Sequence, residues 1–411
     1  MPVRHRRRDR PADGADRLQG PADDRHCAGR PGADHDLSRD LAVPAAGAGG
    51  GGMTDLSVQV GRTRLKNPVI AASGEHLIDD AGILSAIAAG AGAVVMKSSN
   101  DSAAAQRQLL QAEYAALDAC WNRVDWGPGA PREATLLTRS GLTPLGFDAW
   151  LDQARRMDAA ARKADCVLVA SVVMAGIEDA VRRARAVEDA GLRVFEFNIG
   201  TPYASQAAKG AVSTELSPAR VAELVGQVTS AVSIPVWVKL SGQSERVPEL
   251  VAAATGAGAD SAVIAGRALG LVPDLETMQP MLGTSCGIGG YWNLPLTCHW
   301  LAMTRARLGA GRALIGINGA CSGRDVARMM LAGASAVGLS SAVMLRGWDV
   351  IRDAVADLDA YCAQKGASAR DLVGRAADAR RSFAEMPVLD QVWRNHVPAP
   401  LVPDEEVRRN R

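Results

Sequence analysis

From Leu56 onward the sequence repeats one device eight times: a short apolar run, then a longer stretch that is mostly Ala- and Arg-rich with helical spacing. The runs are PVIAAS (68–73), AVVMKS (93–98), CVLVASVV (166–173), VFEFNI (194–199), PVWVKL (235–240), SAVIA (261–265), ALIGIN (313–318) and SAVGLS (335–340). Short, continuously apolar runs mark strands buried on both faces, as in a parallel sheet covered by helices. Eight of them with helical crossovers predict an α/β fold, a (β/α)8 TIM barrel. A doubly wound open sheet also alternates strand and helix, but eight near-equal units without a G-x-G-x-x-G after the first of them favour the barrel.

Two intervals are too long to be simple connections. Residues 99–165 read as a helical stretch, an irregular CWNRVDWGPGAP segment and a second helix from about Phe147. Residues 266–294 hold the Gly-rich MLGTSCGIGGYWN. Long loops after barrel strands usually shape or cover a site. The last barrel helix is expected to end near Lys365, with one more helix and a loose tail over 366–411.

Residues 1–52 differ from the rest, being rich in Arg, Asp, Pro, Gly and Ala and ending in AAGAGGGG. Such a segment buries too little apolar surface to offset its ordering entropy, so a disordered extension is expected. Met53 is then the expected start of the folded protein, with the barrel over 53–365. The basic run Arg4 to Arg10 could be a nucleic-acid arm and His5, His26 and His35 could bind metal, but interspersed Asp and the low complexity argue against both. A formal charge of +1 gives no global field for nucleic acid or anionic lipid. No apolar run reaches membrane-spanning length. The seven cysteines are scattered without a C-x-x-C pair, which points to reduced thiols in a cytoplasmic protein and to no zinc or iron–sulfur site.

Chemistry should gather where the strands end. The fourth run stops in Asn198, Gly200, Thr201 and Pro202, and the second and fifth stop on Lys97 and Lys239. The chain has only six lysines against forty arginines, so two at buried strand ends are informative. A buried ammonium needs an anion, a polar ligand or water. The choice at this point lies between a structural ion pair across the barrel mouth and a cofactor site. Asn318–Gly319 and Ser340–Ser341 follow the last two strands, where barrels bind phosphate through backbone N–H groups and small residues allow close approach.

AASG (71–74), MKSS (96–99), SGLTPLGFDAWL (140–151), FNIGTP (197–202), VKL (238–240), GIGG (287–290) and NGACSGRDVARMMLAGASAVGLSSA (318–342) follow one another as in dihydroorotate dehydrogenases. The chain resembles that superfamily, including the related dihydropyrimidine dehydrogenase domains, over roughly residues 55–365. The resemblance implies an FMN-binding barrel whose cofactor contacts are Ser73, Gly74, Lys97, Ser98, Asn198, Lys239, Gly289, Gly290, Gly319, Ser340 and Ser341. It implies oxidation of a CH–CH bond of a dihydropyrimidine, with a proton passing to a base on the strand-four loop and a hydride to flavin. Thr201 falls at the base position, where the family carries Cys or Ser. Catalytic roles would thus fall to Thr201, Lys97, Lys239 and Asn198.

The departures bear on substrate. Tyr203, Thr138 and Ala265 stand where the family places asparagines on the pyrimidine, so orotate should bind poorly. His76, just after AASG, is a further candidate to face the substrate. Alternatives are a flavin oxidoreductase for a non-pyrimidine substrate and a non-catalytic flavin-binding or interaction protein. The resemblance also implies a homodimer and, for NAD-linked members, a separate electron-transfer subunit. No membrane attachment or metal is expected. Cys286 and Cys321 read as packing residues rather than redox thiols, His299 as a core residue, Trp292 and Asn293 as pocket walls, and Trp121 to Trp126 as a lid or packing for the insertion.

Overall fold

The eight apolar runs form eight strands: β1 (Val69–Ala71), β2 (Ala93–Val95), β3 (Val167–Val173), β4 (Phe195–Asn198), β5 (Val236–Lys239), β6 (Ser261–Ile264), β7 (Ala313–Ile317) and β8 (Ala336–Leu339). They close into a barrel in which every neighbour is parallel and β8 pairs with β1. These strands belong to a computed structural model that describes residues 54–100, 107–200, 217–264, 266 and 268–399. Residues 1–53, including the expected disordered extension, and Thr201, Tyr203 and Ala265 lie outside the described residues. Nearly every strand residue is buried, because side chains pointing outward meet helices and those pointing inward fill the barrel.

Among the described residues the helices longer than six residues are α1 (Asp80–Ala88), α2 (Phe147–Lys163), α3 (Ile177–Asp189), α4 (Pro218–Thr229), α5 (Val247–Gly256), α6 (Leu294–Leu308), α7 (Gly323–Leu331) and α8 (Asp349–Lys365), and a short helix, Ser341–Arg346, follows β8. Several begin on side-chain caps. Asp79 accepts from Gly82 N at the start of α1, and Ser322 from Asp325 N at α7. Ser217 accepts from Arg220 N before α4, whose first residue, Pro218, has no N–H to satisfy.

A hairpin, Val58–Val60 paired with Thr63–Leu65, closes the N-terminal end of the barrel. Val58, Val60 and Leu65 are buried, while Arg62 reaches Asp260 and the Ser233 carbonyl and Lys66 reaches the Ala164 carbonyl. All three partners lie in connections that enter strands. Gly61 (φ 58°) turns the hairpin against Asp260, where a Cβ would lie 2.6 Å from the Asp260 carbonyl oxygen.

The opposite end is built by the two long intervals, which form one antiparallel sheet. Its strand order is Ala268–Gly270, Cys286–Gly289, Thr135–Arg139, Glu113–Leu117 and Arg123–Val124. The expected helical stretch before the Trp/Gly/Pro segment is found only in part. Among the described residues 107–111 are helical, ending in the turn Leu109–Gln111, and from Glu113 the chain is instead the strand Glu113–Leu117, paired with Thr135–Arg139 along its whole length. The Ala, Leu and Gln content favours helix locally, but burial of Ala115, Ala116 and Leu117 against partners distant in sequence wins. The helix from Phe147 is as expected.

Beyond α8 the single expected helix is two four-residue pieces, Ala369–Leu372 and Arg375–Asp378, divided at Gly374 (φ 81°). They pack on the barrel through Gly374 N to Met330 O and through Arg305 to Asp378.

Candidate active site

One cavity of about 520 Å³ opens at the C-terminal end of the barrel, within the size range of small-molecule sites. Lys97, at the exit of β2, and Lys239, the last residue of β5, both line it. Asn198 joins them because it is the registered neighbour of Lys239 on β4. Ser73 and Gly74 arrive from β1 and Ser98 from β2. Gly319, Ser340 and Ser341 arrive from the loops of β7 and β8, and Gly289 and Thr138 from adjacent strands of the covering sheet. Residues spread over more than 260 positions of sequence thus face one space.

Each lysine has an acidic neighbour. Lys97 Nζ donates to Glu75 Oε1 at 2.8 Å, so an ion pair is present here, between the exits of the neighbouring strands β1 and β2 rather than across the mouth. The main chain at Lys97 is pinned by Trp150 Nε1, which donates to the Lys97 carbonyl at 3.0 Å. Burial pushes the Glu75 carboxyl up, but the Lys97 charge and hydrogen bonds outweigh it and hold the group below the usual carboxylate range. Lys239 Nζ lies 4.0 Å from Glu196 Oε1, a buried oxygen that also accepts from Ser171 Oγ at 2.7 Å. Ser171 Oγ in turn lies 2.8 Å from Ser98 Oγ, and Ser98 Oγ 3.5 Å from Ser73 Oγ. A polar chain therefore runs from the cavity wall into the barrel interior and back to the second lysine.

The β7 and β8 loops form a close-fitting edge. Asn318 (φ 71°) and Gly319 (φ 118°) make a left-handed step in which a Cβ on Gly319 would lie 2.4 Å from Leu294 N. Asn318 Oδ1 is buried without a hydrogen-bond partner and faces Gly289. A buried amide oxygen left so is costly and is best satisfied by a ligand. Two ammonium groups, a row of small residues and this oxygen suit a planar ligand with a polar edge and an anionic tail.

Other expected residues fall elsewhere. Gly290 does not line the cavity; its α-carbon faces Trp292 and Thr135. Trp292 and Asn293 do not line it either. His76 is likewise corrected: its ring lies behind Gly74 and packs on Trp348 at 5.5 Å, with neither nitrogen hydrogen-bonded. Burial first and the Lys97 charge second lower its pKa to about 4, against an opposing effect of Glu75, so the ring is neutral at pH 7. His299 is exposed on α6 rather than in the core, stacked edge-on to Trp300. Cys286 packs with Ala115, Leu117 and Leu137, and burial pushes the Cys321 thiol up to about 11, so both behave as packing residues. Trp121 and Trp126 are half-exposed beside the edge strand Arg123–Val124 and do not line the cavity. Thr201 and Tyr203 lie outside the described residues, although Gly200 before them is described. A Cβ on Gly200 would lie 2.6 Å from the Leu240 carbonyl carbon, so this backbone has no room for a side chain.

Sequence reasoning missed Glu75, Arg139 and Glu196. The signal was available in principle for Glu75: a lysine at a buried strand end calls for a carboxylate, and Glu75 directly follows the AASG motif. Arg139 and its partner Glu113 could not be paired before the strand Glu113–Leu117 was recognised.

The comparisons with known proteins agree with this architecture. Residues 114–361 match the dihydroorotate dehydrogenase family. The catalytic subunit of dihydroorotate dehydrogenase B (NAD(+)) from Thermoplasma acidophilum is 26% identical over 329 residues, covering 79% of this chain and 99% of the relative. The corresponding subunit from Saccharolobus solfataricus is 28% identical over 211 residues, 51% of this chain and 69% of the relative. Dihydroorotate dehydrogenase A (fumarate) from Lactobacillus helveticus is 29% identical over 212 residues, 51% of this chain and 67% of the relative. With barrel, cavity and more than half of the sequence in agreement, the chain belongs to the dihydroorotate dehydrogenase family.

Proposed function

We propose that the protein is an FMN-dependent oxidoreductase that oxidises the CH–CH bond of a dihydropyrimidine-type substrate, dihydroorotate or a related ring. The observation that carries this reading is the convergence of Lys97, Asn198 and Lys239 on one cavity whose far edge is the small-residue loops after β7 and β8. The buried Asn318 Oδ1, beside Gly289 on the cavity wall, would supply an acceptor for a flat cofactor. Lys97, Asn198 and Lys239 would hold its polar edge, and Gly319, Ser340 and Ser341 its phosphate.

Bound FMN would supply a hydride acceptor. Lys97 and Lys239 would place positive charge beside the edge on which negative charge develops. Thr201 is the proposed proton acceptor on the strand-four loop, in keeping with its match to the family motif. Reoxidation would fall to a second substrate or, as the relatives described as catalytic subunits suggest, to a separate electron-transfer subunit. A cytoplasmic homodimer without membrane attachment completes the proposal; among the described residues no helix is long and apolar enough to cross a membrane.

The test is an anaerobic titration of the purified yellow protein with dihydroorotate and then dihydrouracil, following flavin absorbance. Bleaching by either supports the reading. A flavin that neither compound bleaches moves the assignment to a non-pyrimidine substrate, which Thr138 already favours by donating its hydroxyl to the Gly287 carbonyl rather than presenting an amide.

A further inference from the structure

Glu75 lines the cavity and carries an acidic side chain into it. A single oxygen of that side chain, Oε1, receives the Lys97 ammonium at 2.8 Å and the Gly141 backbone N–H at 3.2 Å. An ammonium and an amide N–H converging on one point make a seat for a carboxylate oxygen. Here the protein fills the seat itself. The pair is largely withdrawn from water, with side-chain exposures of 9% for Lys97 and 16% for Glu75, so its electrostatics are little screened.

The remaining cations follow the same rule. Among the described residues lining the cavity the cationic side chains are Lys97, Arg139 and Lys239. Arg139 is held by Glu113 at 2.8 Å and by the Leu282 carbonyl at 2.7 Å, and Lys239 has Glu196 at 4.0 Å. An incoming carboxylate would have to displace Glu75 from Lys97 or sit beside it. The first leaves a buried carboxylate without its cation, and the second sets two like charges together, so both are unfavourable.

We propose that Glu75 is the specificity residue of this site: it occupies the carboxylate seat between Lys97 and Gly141 and selects substrates that are uncharged at that position. Within the dihydropyrimidine reading, on which this rests, the preferred substrate is a neutral ring such as dihydrouracil rather than the acid dihydroorotate.

The experiment compares ligand binding to the flavin-loaded wild type and to Glu75→Gln, by calorimetry and by the shift of the flavin spectrum. The probes are orotate and uracil, with benzoate and benzamide as a second acid and amide pair that is not a pyrimidine. Wild type should bind the neutral member of each pair at least tenfold more tightly. Glu75→Gln should gain at least tenfold for the acid, with the neutral ligand changed less than threefold. If neither pyrimidine binds while benzamide is preferred over benzoate, the pyrimidine reading fails and the role of Glu75 stands. A wild type that binds acids as tightly as amides overturns the proposal even where Glu75→Gln does not fold, and so does a folded Glu75→Gln or Glu75→Ala that gains nothing for acids.

Discussion

Lys239 Nζ stands 4.0 Å from Glu196 Oε1, and the two residues come from adjacent strands of the barrel. The register explains the spacing: Lys239 pairs with Asn198, and Glu196 lies two residues earlier, on the same face and one layer deeper. The carboxyl group, tied to Ser171, thus fixes the height of the ammonium at the cavity floor. Lys239→Ala should slow flavin reduction by roughly a hundredfold, the usual loss when a preorganised charge is removed from such a site. Stopped-flow reduction under anaerobic conditions reads this directly, and an unchanged rate would remove Lys239 from the chemistry.

Thr201→Ala separates proton transfer from cofactor binding. Reduction should slow by about 10² or more while the flavin content of the purified protein stays at the wild-type level. A variant that is reduced normally places the base elsewhere on the strand-four loop.

Gly319→Ala tests the edge of the cavity. The added methyl meets Leu294 N at 2.4 Å and the backbone stays at φ 118°, so the variant should lose about 3 kcal/mol and part of its flavin. Gly347→Ala is the control: φ is 89° but nothing lies within 4 Å of the new methyl, and about 1 kcal/mol is expected without flavin loss. Equal effects in calorimetric melting would mean that crowding at Leu294 does not matter.

His76 predicts a pH dependence of stability. Its value of about 4 in the folded protein lies below the ordinary 6.5, so above pH 6.5 the ring is neutral in both states and stability is unaffected. As pH falls from 6.5 towards 4, the unfolded chain takes up a proton that the folded chain refuses. The loss reaches about 3 kcal/mol at pH 4 and levels off below it. His76→Phe, which keeps a ring against Trp348, should flatten this part of the curve in urea titrations. A wild type and variant with the same slope would show that His76 does not titrate as its burial requires.

The barrel was legible because each of its strands is buried on both faces, which leaves an uninterrupted apolar run that helices do not imitate at that length. Lys97, Asn198 and Lys239 were legible for the same reason in reverse, as polar residues that end such runs. The strand Glu113–Leu117 was not, since its composition suits a helix and only pairing with Thr135–Arg139 makes it a strand. His76 was misjudged because adjacency to a motif does not say which way a ring turns, and here Trp348 receives it.

What the sequence determined by itself is the set of residues at the strand ends, since period and burial are local properties of the chain. Which of those residues meet, and with what charge, was decided by tertiary structure. Glu75 and Gly141 are 66 positions apart, yet the closure of the barrel and the fold-back of its first insertion bring the Gly141 N–H to the oxygen that holds Lys97. Electrostatic pairing depends on distances of a few ångströms, and no periodicity in the chain encodes distances across a barrel mouth.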